Sequence, residues 1–264
     1  MRLAWATDIH LEFLTPAGLA RFVVTLAESK AEALLLGGDI SQALGIEKHL
    51  RILERALERP IYFVLGNHDY YHGRVEPVRE RITAITGASS LLRWLPSSGP
   101  VGLSDTCGLL GHDGWADGRF GDYANSRVML NDYRMIEDFI PLGPAERLTR
   151  MQSLAQGAAD FVRAQLPRAL ERWQQVIFLT HVPPFAEAAW HMGKISDDDW
   201  LPHFASRVTG EALREIMTQH PDRELLVLCG HTHSAGEVSV LPNLRVLTGG
   251  ARYGYPEIQR DWDV

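Results

Sequence analysis

Cysteine is scarce in this chain, which has only Cys107 and Cys229 among 264 residues. Both residues follow or end apolar runs, where a free thiol acts as a small hydrophobic side chain. Two cysteines cannot form the framework of several disulfides on which small secreted domains rely. We therefore expect two buried thiols in a reducing compartment rather than a disulfide.

Long apolar runs are also missing, and we expect no N-terminal leader. No hydrophobic stretch approaches the roughly 20 residues that a membrane-spanning helix needs. The chain starts directly with a strand-like segment, from Arg2 to Thr7, and not with a charged and then apolar leader. We therefore expect a soluble, cytoplasmic protein with no membrane partner.

Basic residues are fewer than acidic ones. Lys and Arg total 26 against 33 for Asp and Glu, which gives a formal net charge of -7. Proteins that hold long nucleic acids usually carry a basic face. The charge balance thus argues against a nucleic-acid polymer as a partner, although bound metal ions can supply local positive charge.

Short apolar runs of strand length alternate with longer segments of helical period. Helices are predicted in residues 18–29 and 45–58, where the apolar side chains fall on one face. This alternation predicts a parallel sheet covered by helices, and the runs on either side of Pro242-Asn243 predict a hairpin. We expect an α/β fold of four layers, two stacked sheets between helices, formed by a single domain of residues 1–264. The predicted strands are 2–7, 33–37, 60–65, 107–111, 175–180, 224–229, 236–241 and 244–248.

Two stretches, residues 112–143 and 182–207, interrupt this regular alternation. Long irregular loops inside a compact domain usually carry function, so we expect these two to select the substrate. His112 and Arg119 lie in the first stretch and are candidate contacts of the substrate, together with Asn67. A glycine-rich surface turn is an equally good interpretation of the segment around His112.

Five short motifs rich in metal-ligand side chains follow predicted strands. Open α/β sheets gather their ligands at the carboxyl ends of the strands, so one fold can bring all five motifs together. Their mixture of carboxylate, amide oxygen and imidazole suits two divalent cations in a shared site. The lack of thiolate ligands favours manganese or iron, with zinc as a further candidate. The motifs are Asp8-Ile9-His10, Gly37-Gly38-Asp39, Gly66-Asn67-His68-Asp69, His181 and Gly230-His231-Thr232-His233.

Two residues in these motifs have special roles in this interpretation. Asp39 follows two glycines that allow close backbone approach, and its two oxygens can bridge two cations. His68 need not be a ligand, and an imidazole beside the metals suits general-acid transfer of a proton to the leaving alcohol. We expect the neighbouring Asp69 to orient His68 and to keep it protonated.

The ordered series of motifs resembles the calcineurin-like metallophosphoesterase superfamily and spans residues 8 to 233. The resemblance implies a β-sandwich flanked by helices and a centre of two divalent ions. His68 takes the position of the family's catalytic histidine and Asp69 that of its partner. The implied ligands are Asp8, His10, Asp39 and His233 for the first ion and Asp39, Asn67, His181 and His231 for the second.

The resemblance also narrows the subgroup. Serine/threonine protein phosphatases of this superfamily carry Glu after the catalytic histidine and Arg-Gly after the bridging aspartate. Here Asp69 follows His68, and Ile40-Ser41 follow Asp39. The pattern is closer to that of bacterial phosphodiesterases and phosphatases that act on small phosphoesters.

The sequence therefore predicts a metal-dependent hydrolase of small phosphodiesters or phosphomonoesters that uses a water activated by two metals. One alternative is a DNA exonuclease of the same superfamily, which the acidic charge balance disfavours. The other is a metal-binding scaffold without catalysis, which is disfavoured because His68 and all seven implied ligands are present. The monoester and diester alternatives stay open at this point, as does the oligomeric state.

Overall fold

The computed structural model describes residues 1–264 and contains thirteen strands and eight α-helices. The strands are β1 Arg2–Ala6, β2 Ala33–Gly37, β3 Ile61–Val64, β4 Leu92–Trp94, β5 Val101–Gly102, β6 Cys107–His112, β7 Gln175–Thr180, β8 Trp190–His191, β9 Lys194–Ile195, β10 Glu224–Cys229, β11 Gly236–Leu241, β12 Leu244–Thr248 and β13 Arg260–Asp263. The helices are α1 Pro16–Glu28, α2 Ile46–Leu57, α3 Val75–Gly87, α4 Leu95–Ser98, α5 Asp132–Met135, α6 Pro144–Arg172, α7 Leu201–Phe204 and α8 Arg207–Gln219. No helix is both long enough and apolar enough to cross a membrane.

Two large sheets form the centre of the molecule. The first has the order β13-β1-β2-β3-β4, and the second has the order β11-β12-β10-β7-β6-β5. Their inner strands run parallel, whereas β13, β5 and β11 are antiparallel to their neighbours. Because inner parallel strands point the same way, the loops that leave them meet at one edge of the sandwich.

Alternate residues of each strand face two different cores. Trp5 and Leu35 of the first sheet pack against Ile177 and Leu228 of the second sheet, in the space between the sheets. The intervening residues, such as Leu34, face a core shared with the helices. This alternation, with a period of two, places α1, α2 and α3 outside one sheet and α6 and α8 outside the other. The predicted four-layer α/β sandwich is confirmed.

Every strand and helix that the sequence predicts is present. The helices predicted in 18–29 and 45–58 are α1 and α2, and the hairpin around Pro242-Asn243 is formed by β11 and β12. Thr15 caps α1 by accepting a hydrogen bond from the Gly18 amide. Both cysteines are free and buried, as expected.

The sequence prediction missed three strands at sheet edges, β4, β5 and β13, whereas the first irregular segment is irregular as expected. Strand β13 has charged residues at Arg260, Asp261 and Asp263, so it shows no apolar alternation; its backbone pairs with β1, and Asp261 also pairs with Arg2. Between residues 113 and 143 the only α-helix is the four-residue α5, and regular helix resumes at Pro144.

Candidate metal centre

All seven predicted metal ligands lie at the carboxyl edge of the two sheets. Each stands in the loop that leaves a parallel strand, so residues far apart in the chain come into contact. The ligands are Asp8 and His10 after β1, Asp39 after β2, Asn67 after β3, His181 after β7, and His231 and His233 after β10.

Five of these ligands have a left-handed backbone. Their φ angles lie between 41° and 71°, a region that costs a residue with a Cβ about 1–2 kcal/mol. Such strain persists only where the surrounding structure holds it, and it concentrates at functional sites. Here it turns the chain sharply at the strand ends. The five are Asp8, His10, Asp39, His231 and His233.

Two glycines let the backbone approach the ligands closely. A Cβ at Gly66 would overlap Asp39 Oδ1, and a Cβ at Gly230 would overlap Asp8 Oδ2 and Thr7 Oγ1. No other residue fits at these two positions without moving a ligand carboxylate. The glycines of the motifs are therefore part of the geometry of the site.

The first cluster of donor atoms consists of Asp8, His10, Asp39 and His233. His233 Nε2 lies 3.3 Å from Asp8 Oδ1 and 3.2 Å from His10 Nε2, and His10 Nε2 lies 3.7 Å from Asp39 Oδ2. One donor atom from each of the four residues falls within 4.8 Å of the others, the spacing expected around a single cation.

The second cluster consists of Asp39, Asn67, His181 and His231. Asn67 Oδ1 lies 3.0 Å from His181 Nε2 and 2.9 Å from His231 Nδ1. Asp39 Oδ1 lies 3.5 Å from His181 Nε2. Asp39 thus turns Oδ2 to the first cluster and Oδ1 to the second, which is the arrangement of a bridging carboxylate.

The outer atoms of the second cluster are held by hydrogen bonds. His181 Nδ1 donates to the Gly37 carbonyl at 2.9 Å, and His231 Nε2 donates to the His203 carbonyl at 3.0 Å. Asn67 Nδ2 donates to Asp132 Oδ1 at 2.8 Å, so its carbonyl oxygen faces inward. Partners of this kind fix the orientation of metal ligands, including the histidine tautomer.

Burial perturbs the titration of these groups. Desolvation lowers the pKa of His231 to about 3 and that of His10 to about 4, so both rings are neutral at pH 7. Burial and the nearby Asp8 raise the pKa of Asp39 well above its usual value, although His181 opposes the shift. Burial also favours neutral Asp8, but His233 and His181 hold its pKa well below the usual range.

The donor set fits two divalent ions. Four imidazoles, an amide oxygen and two buried carboxylates form both clusters. The basic side chains within 4 Å of the Asp8 and Asp39 carboxylates are histidines rather than Lys or Arg. Such mixed nitrogen and oxygen ligands suit manganese, iron or zinc. The residues of this edge therefore could hold both cations that the resemblance implies.

His68 lies beside the two clusters without belonging to either. Its ring stacks on Tyr71, with centroids 4.1 Å apart, and its Nε2 lies 4.0 Å from Asp39 Oδ2. Both residues line an open cleft of about 260 Å³ next to the clusters. The two irregular segments also line this cleft, through residues such as Asp132 and Phe204.

The prediction that Asp69 orients His68 is wrong. Its Oδ1 accepts the amides of Ile40 and Ser41 at 3.0 and 2.8 Å, and its Oδ2 accepts the amide of Gly66 at 2.8 Å. The carboxylate therefore connects the loop after β2 to the loop after β3, and it forms no hydrogen bond or ion pair with the His68 ring. The acidic side chain nearest to His68 Nδ1, the nitrogen that points away from the clusters, is Glu12, whose Oε1 lies 3.7 Å away.

The structure does not bring His112 and Arg119 to the cleft. His112 Nδ1 accepts the amide of Gly114, and its ring packs against Phe161 of α6, where burial lowers its pKa to about 4. Arg119 pairs with Asp117 at 3.2 Å. Neither side chain lines the cleft. The prediction that His112 and Arg119 contact the substrate is therefore contradicted.

Three further residues lie at the site, and the sequence does not place them there. Asp132 orients Asn67 but lies 65 positions away, and nothing in the sequence links the two. Tyr253 lies over the first cluster, with its ring 4.6 Å from that of His10. Glu12 does have a signal, because it continues the alternation Asp8-x-His10-x-Glu12.

The chain belongs to the calcineurin-like phosphoesterase family, because the model of that family matches residues 1–235. A search of curated proteins finds no match. Among solved structures, phosphopantetheinyl hydrolase from Mycobacterium tuberculosis is similar, with 15% identity, a TM-score of 0.65, and coverage of 94% of this chain and 89% of that chain. A dimetal phosphatase from Danio rerio shows 12% identity and a TM-score of 0.57, with 95% and 87% covered. Similarity at this level of identity shows a shared fold.

Membership of this family makes the protein a metal-dependent phosphoesterase, a hydrolase that uses divalent ions. The four-layer fold agrees with that of the two structural neighbours. The fold and the family thus establish the class of chemistry.

Proposed function

We propose that this protein hydrolyses small phosphoesters at the cleft beside the two clusters. The observation that carries the proposal is the position of Asp39, whose two oxygens face two separate sets of donor atoms. His68 adds a titratable group at the wall of the same cleft, outside both sets. This combination supports in-line displacement at phosphorus with a proton donor for the leaving group.

Two divalent ions, when bound, would supply Lewis acidity that activates water and neutralises charge on the phosphoryl oxygens. Asp39 would hold the pair together, while Asn67, kept in place by Asp132, would complete the second set of ligands. Manganese and iron are the ions we propose first, with zinc as a third candidate.

His68 would donate a proton to the leaving oxygen. Its Nε2 points toward the Asp39 side of the cleft, and its face is fixed by stacking on Tyr71. A positioned general acid of this kind contributes about 10²–10⁴-fold to the rate. To act as an acid, the ring must carry a proton on Nε2, and the imidazolium form supplies it.

The cleft supports a small substrate. Its volume of about 260 Å³ lies just below the range of roughly 300–1,000 Å³ that is usual for small-molecule sites. Aromatic rings of Tyr71, Phe204 and Tyr253 line it, and the net charge of -7 disfavours a polyanion. The two free, buried thiols are compatible with the reducing cytoplasm that we propose as the location.

The test is hydrolysis of bis(p-nitrophenyl) phosphate and p-nitrophenyl phosphate by protein loaded with Mn²⁺. We expect turnover of at least one, and a preference for the first would define a phosphodiesterase. Absence of turnover of both, with two bound ions confirmed by elemental analysis, would sink the proposal. Degradation of duplex DNA in a parallel assay would support an exonuclease instead.

The His68→Ala variant tests the assignment of the proton donor. We expect it to keep both ions and to lose turnover by about 10²–10⁴-fold. His72→Asn is the matched control, because His72 is exposed and its left-handed backbone suits Asn. Loss of the ions in His68→Ala would contradict the role given to this ring.

The natural substrate can be sought with a small panel. A phosphoester of a phosphopantetheinyl group belongs in it, because one structural neighbour is named a phosphopantetheinyl hydrolase. If the protein released that group much faster than it cleaves the nitrophenyl esters, it would share a substrate class with this neighbour as well as a fold.

A further inference from the structure

Glu12 occupies an unusual position between a metal ligand and the proposed proton donor. It lies in a short 3-10 turn, Leu11–Phe13, directly after the first metal motif, and its side chain is 13% exposed. Its Oε1 lies 3.5 Å from His10 Nδ1 and 3.7 Å from His68 Nδ1. One carboxylate therefore faces the outer nitrogen of both rings.

The polar atoms in this group are buried and have no hydrogen-bond partner. They are His10 Nδ1, His68 Nδ1, and both carboxylate oxygens of Glu12. Buried polar atoms are rarely left unpaired, because the loss of hydration is uncompensated. The two gaps exceed a normal hydrogen bond by only a few tenths of an ångström, so a small rotation of Glu12 closes them.

The opposite nitrogens of the two rings face the chemistry. His10 Nε2 lies 3.2 Å from His233 Nε2 in the first cluster, and His68 Nε2 points to Asp39 across the cleft. A ring whose Nδ1–H is held by a carboxylate keeps Nε2 free for a metal or for proton transfer. One acidic side chain can thus set the tautomer and angle of both rings.

We propose that Glu12 is a positioning residue shared by His10 and His68. Its carboxylate accepts the Nδ1–H of both rings. It links the geometry of the first cluster to that of the proton donor. The half that concerns His68 rests on the proposed function, and the half that concerns His10 requires only that the first cluster binds a divalent ion.

A third cation held by His10, Glu12 and His68 is the competing reading, since their donor atoms also lie within 4.8 Å of one another. That cation would need the Nδ1 of His10 while its Nε2 serves the first cluster, which requires a fully deprotonated ring. It would also remove His68 from proton transfer. A stoichiometry of three tightly bound ions per chain, reduced to two in Glu12→Gln, would overturn the proposal.

The first measurement is direct observation of the tautomers. Nitrogen-15 NMR of the histidine rings in the metal-free protein should show Nδ1–H for His10 and His68, assigned by comparison with His10→Ala and His68→Ala. A Nε2–H tautomer at both rings in the wild type would overturn the proposal whatever the activity.

The second measurement uses Glu12→Gln, which keeps the size of the side chain but replaces the carboxylate with a neutral and therefore weaker hydrogen-bond acceptor. Calorimetric titration with Mn²⁺ should show the first-cluster ion weakened by about 10–100-fold and the second unchanged. Glu47→Gln, at an exposed position of α2, is the matched control. Unchanged affinity for both ions would remove His10 from the proposal.

The third measurement compares leaving groups at saturating Mn²⁺. If Glu12 positions a proton donor, Glu12→Gln should lose more kcat with phenyl phosphate than with p-nitrophenyl phosphate, because the poorer leaving group needs the proton more. An equal loss with both would mean a structural role only. If the wild type cleaves neither ester, the proposed function fails, while the tautomer and metal measurements still decide the role of Glu12 at His10.

Discussion

The two clusters of donor atoms share Asp39 but differ in how firmly they are held. In the second cluster, the outer nitrogens of His181 and His231 donate to backbone carbonyls, and Asn67 donates to Asp132. In the first cluster, His10 Nδ1 has no hydrogen bond, and the His233 side chain is 24% exposed. By comparison, the His181 side chain is 1% exposed.

This difference predicts that an ion in the first cluster exchanges with the solvent more readily than an ion in the second cluster. Ligands fixed by outer partners lose little freedom when they bind a metal, so their affinity is higher. The second cluster is therefore preorganised, whereas the first depends on Glu12 and on a solvent-exposed ring. We infer that the second cluster fills first as the metal concentration rises.

The largest effect is expected from Asp39→Asn, which breaks the element common to both clusters. An amide keeps one acceptor oxygen, so it cannot bridge two cations. Since metal ions contribute several kcal/mol to stabilisation of the transition state, turnover should fall on the order of 10³-fold or more. Elemental analysis should find fewer than two ions per chain.

Asp105→Asn controls for the loss of charge, because Asp105 is exposed and far from the site in the loop before β6. Its metal content and turnover should match the wild type. Two tightly bound ions in Asp39→Asn would contradict the bridging role and, with it, the view that the clusters are coupled.

The next largest effect compares the removal of one ligand from each cluster. His181→Ala removes a buried ligand that no water can easily replace, so the second ion should be lost even at millimolar Mn²⁺. His233→Ala opens an exposed position that water can fill, so the first ion should be weakened but restored by excess metal. Turnover measured against metal concentration distinguishes the two, and equal rescue of both variants would show that the clusters do not differ.

The sequence predicts the ligands of both clusters because each follows a strand, and a parallel sheet brings strand ends to one edge. Asp8, Asp39 and His181 are predicted by this rule only together with the ordered series of five motifs, because each motif alone is weak. Their backbone strain is invisible in the sequence, except where glycines such as Gly66 reveal close approach. The fold itself follows from the period of the apolar residues, apart from β13, which is held by backbone pairing.

The side chains that orient the predicted ligands and His68 are much harder to predict from the sequence. Asp69 is adjacent to His68 in sequence, yet its side chain binds three backbone amides and not the ring. Asp132 contributes from an irregular segment, where no periodicity fixes the direction of a side chain. Sequence proximity is thus a poor guide to which carboxylate orients which imidazole, because loop geometry decides it.

A moderate effect is expected from Asp132→Ala, which tests whether preorganisation distinguishes the second cluster. Without Asp132, the side-chain amide of Asn67 can rotate, and the second ion should weaken by about 10–100-fold with the first unchanged. Tyr71→Phe removes a hydrogen bond to Asp132 and a long one of 3.4 Å from Asn67, but it keeps the shorter bond between Asn67 and Asp132 and the stacking on His68, so its effect should be smaller. Calorimetric titration with Mn²⁺ measures both, and an unchanged second ion in Asp132→Ala would refute the argument from preorganisation.

The smallest effect concerns the order in which acid removes the ions. Burial lowers the pKa of His10 to about 4 and that of His231 to about 3 in the metal-free protein. A protonated imidazole cannot bind a metal, and the ring with the higher pKa takes up a proton first as the pH falls. Each bound ion competes with a proton for its imidazole, so we expect the first cluster to empty before the second.

The same shifts act on folding with a defined sign. Both folded pKa values lie below that of an unfolded histidine, about 6.5, so the unfolded chain binds more protons at intermediate pH. The two rings therefore reduce the stability of the metal-free protein as the pH falls below about 6.5. Dialysis from pH 6 toward pH 3, with metal content and circular dichroism followed together, should show one ion leaving before the fold is lost. Simultaneous release of both ions from folded protein would mean that Asp39 couples the clusters more strongly than their outer partners separate them.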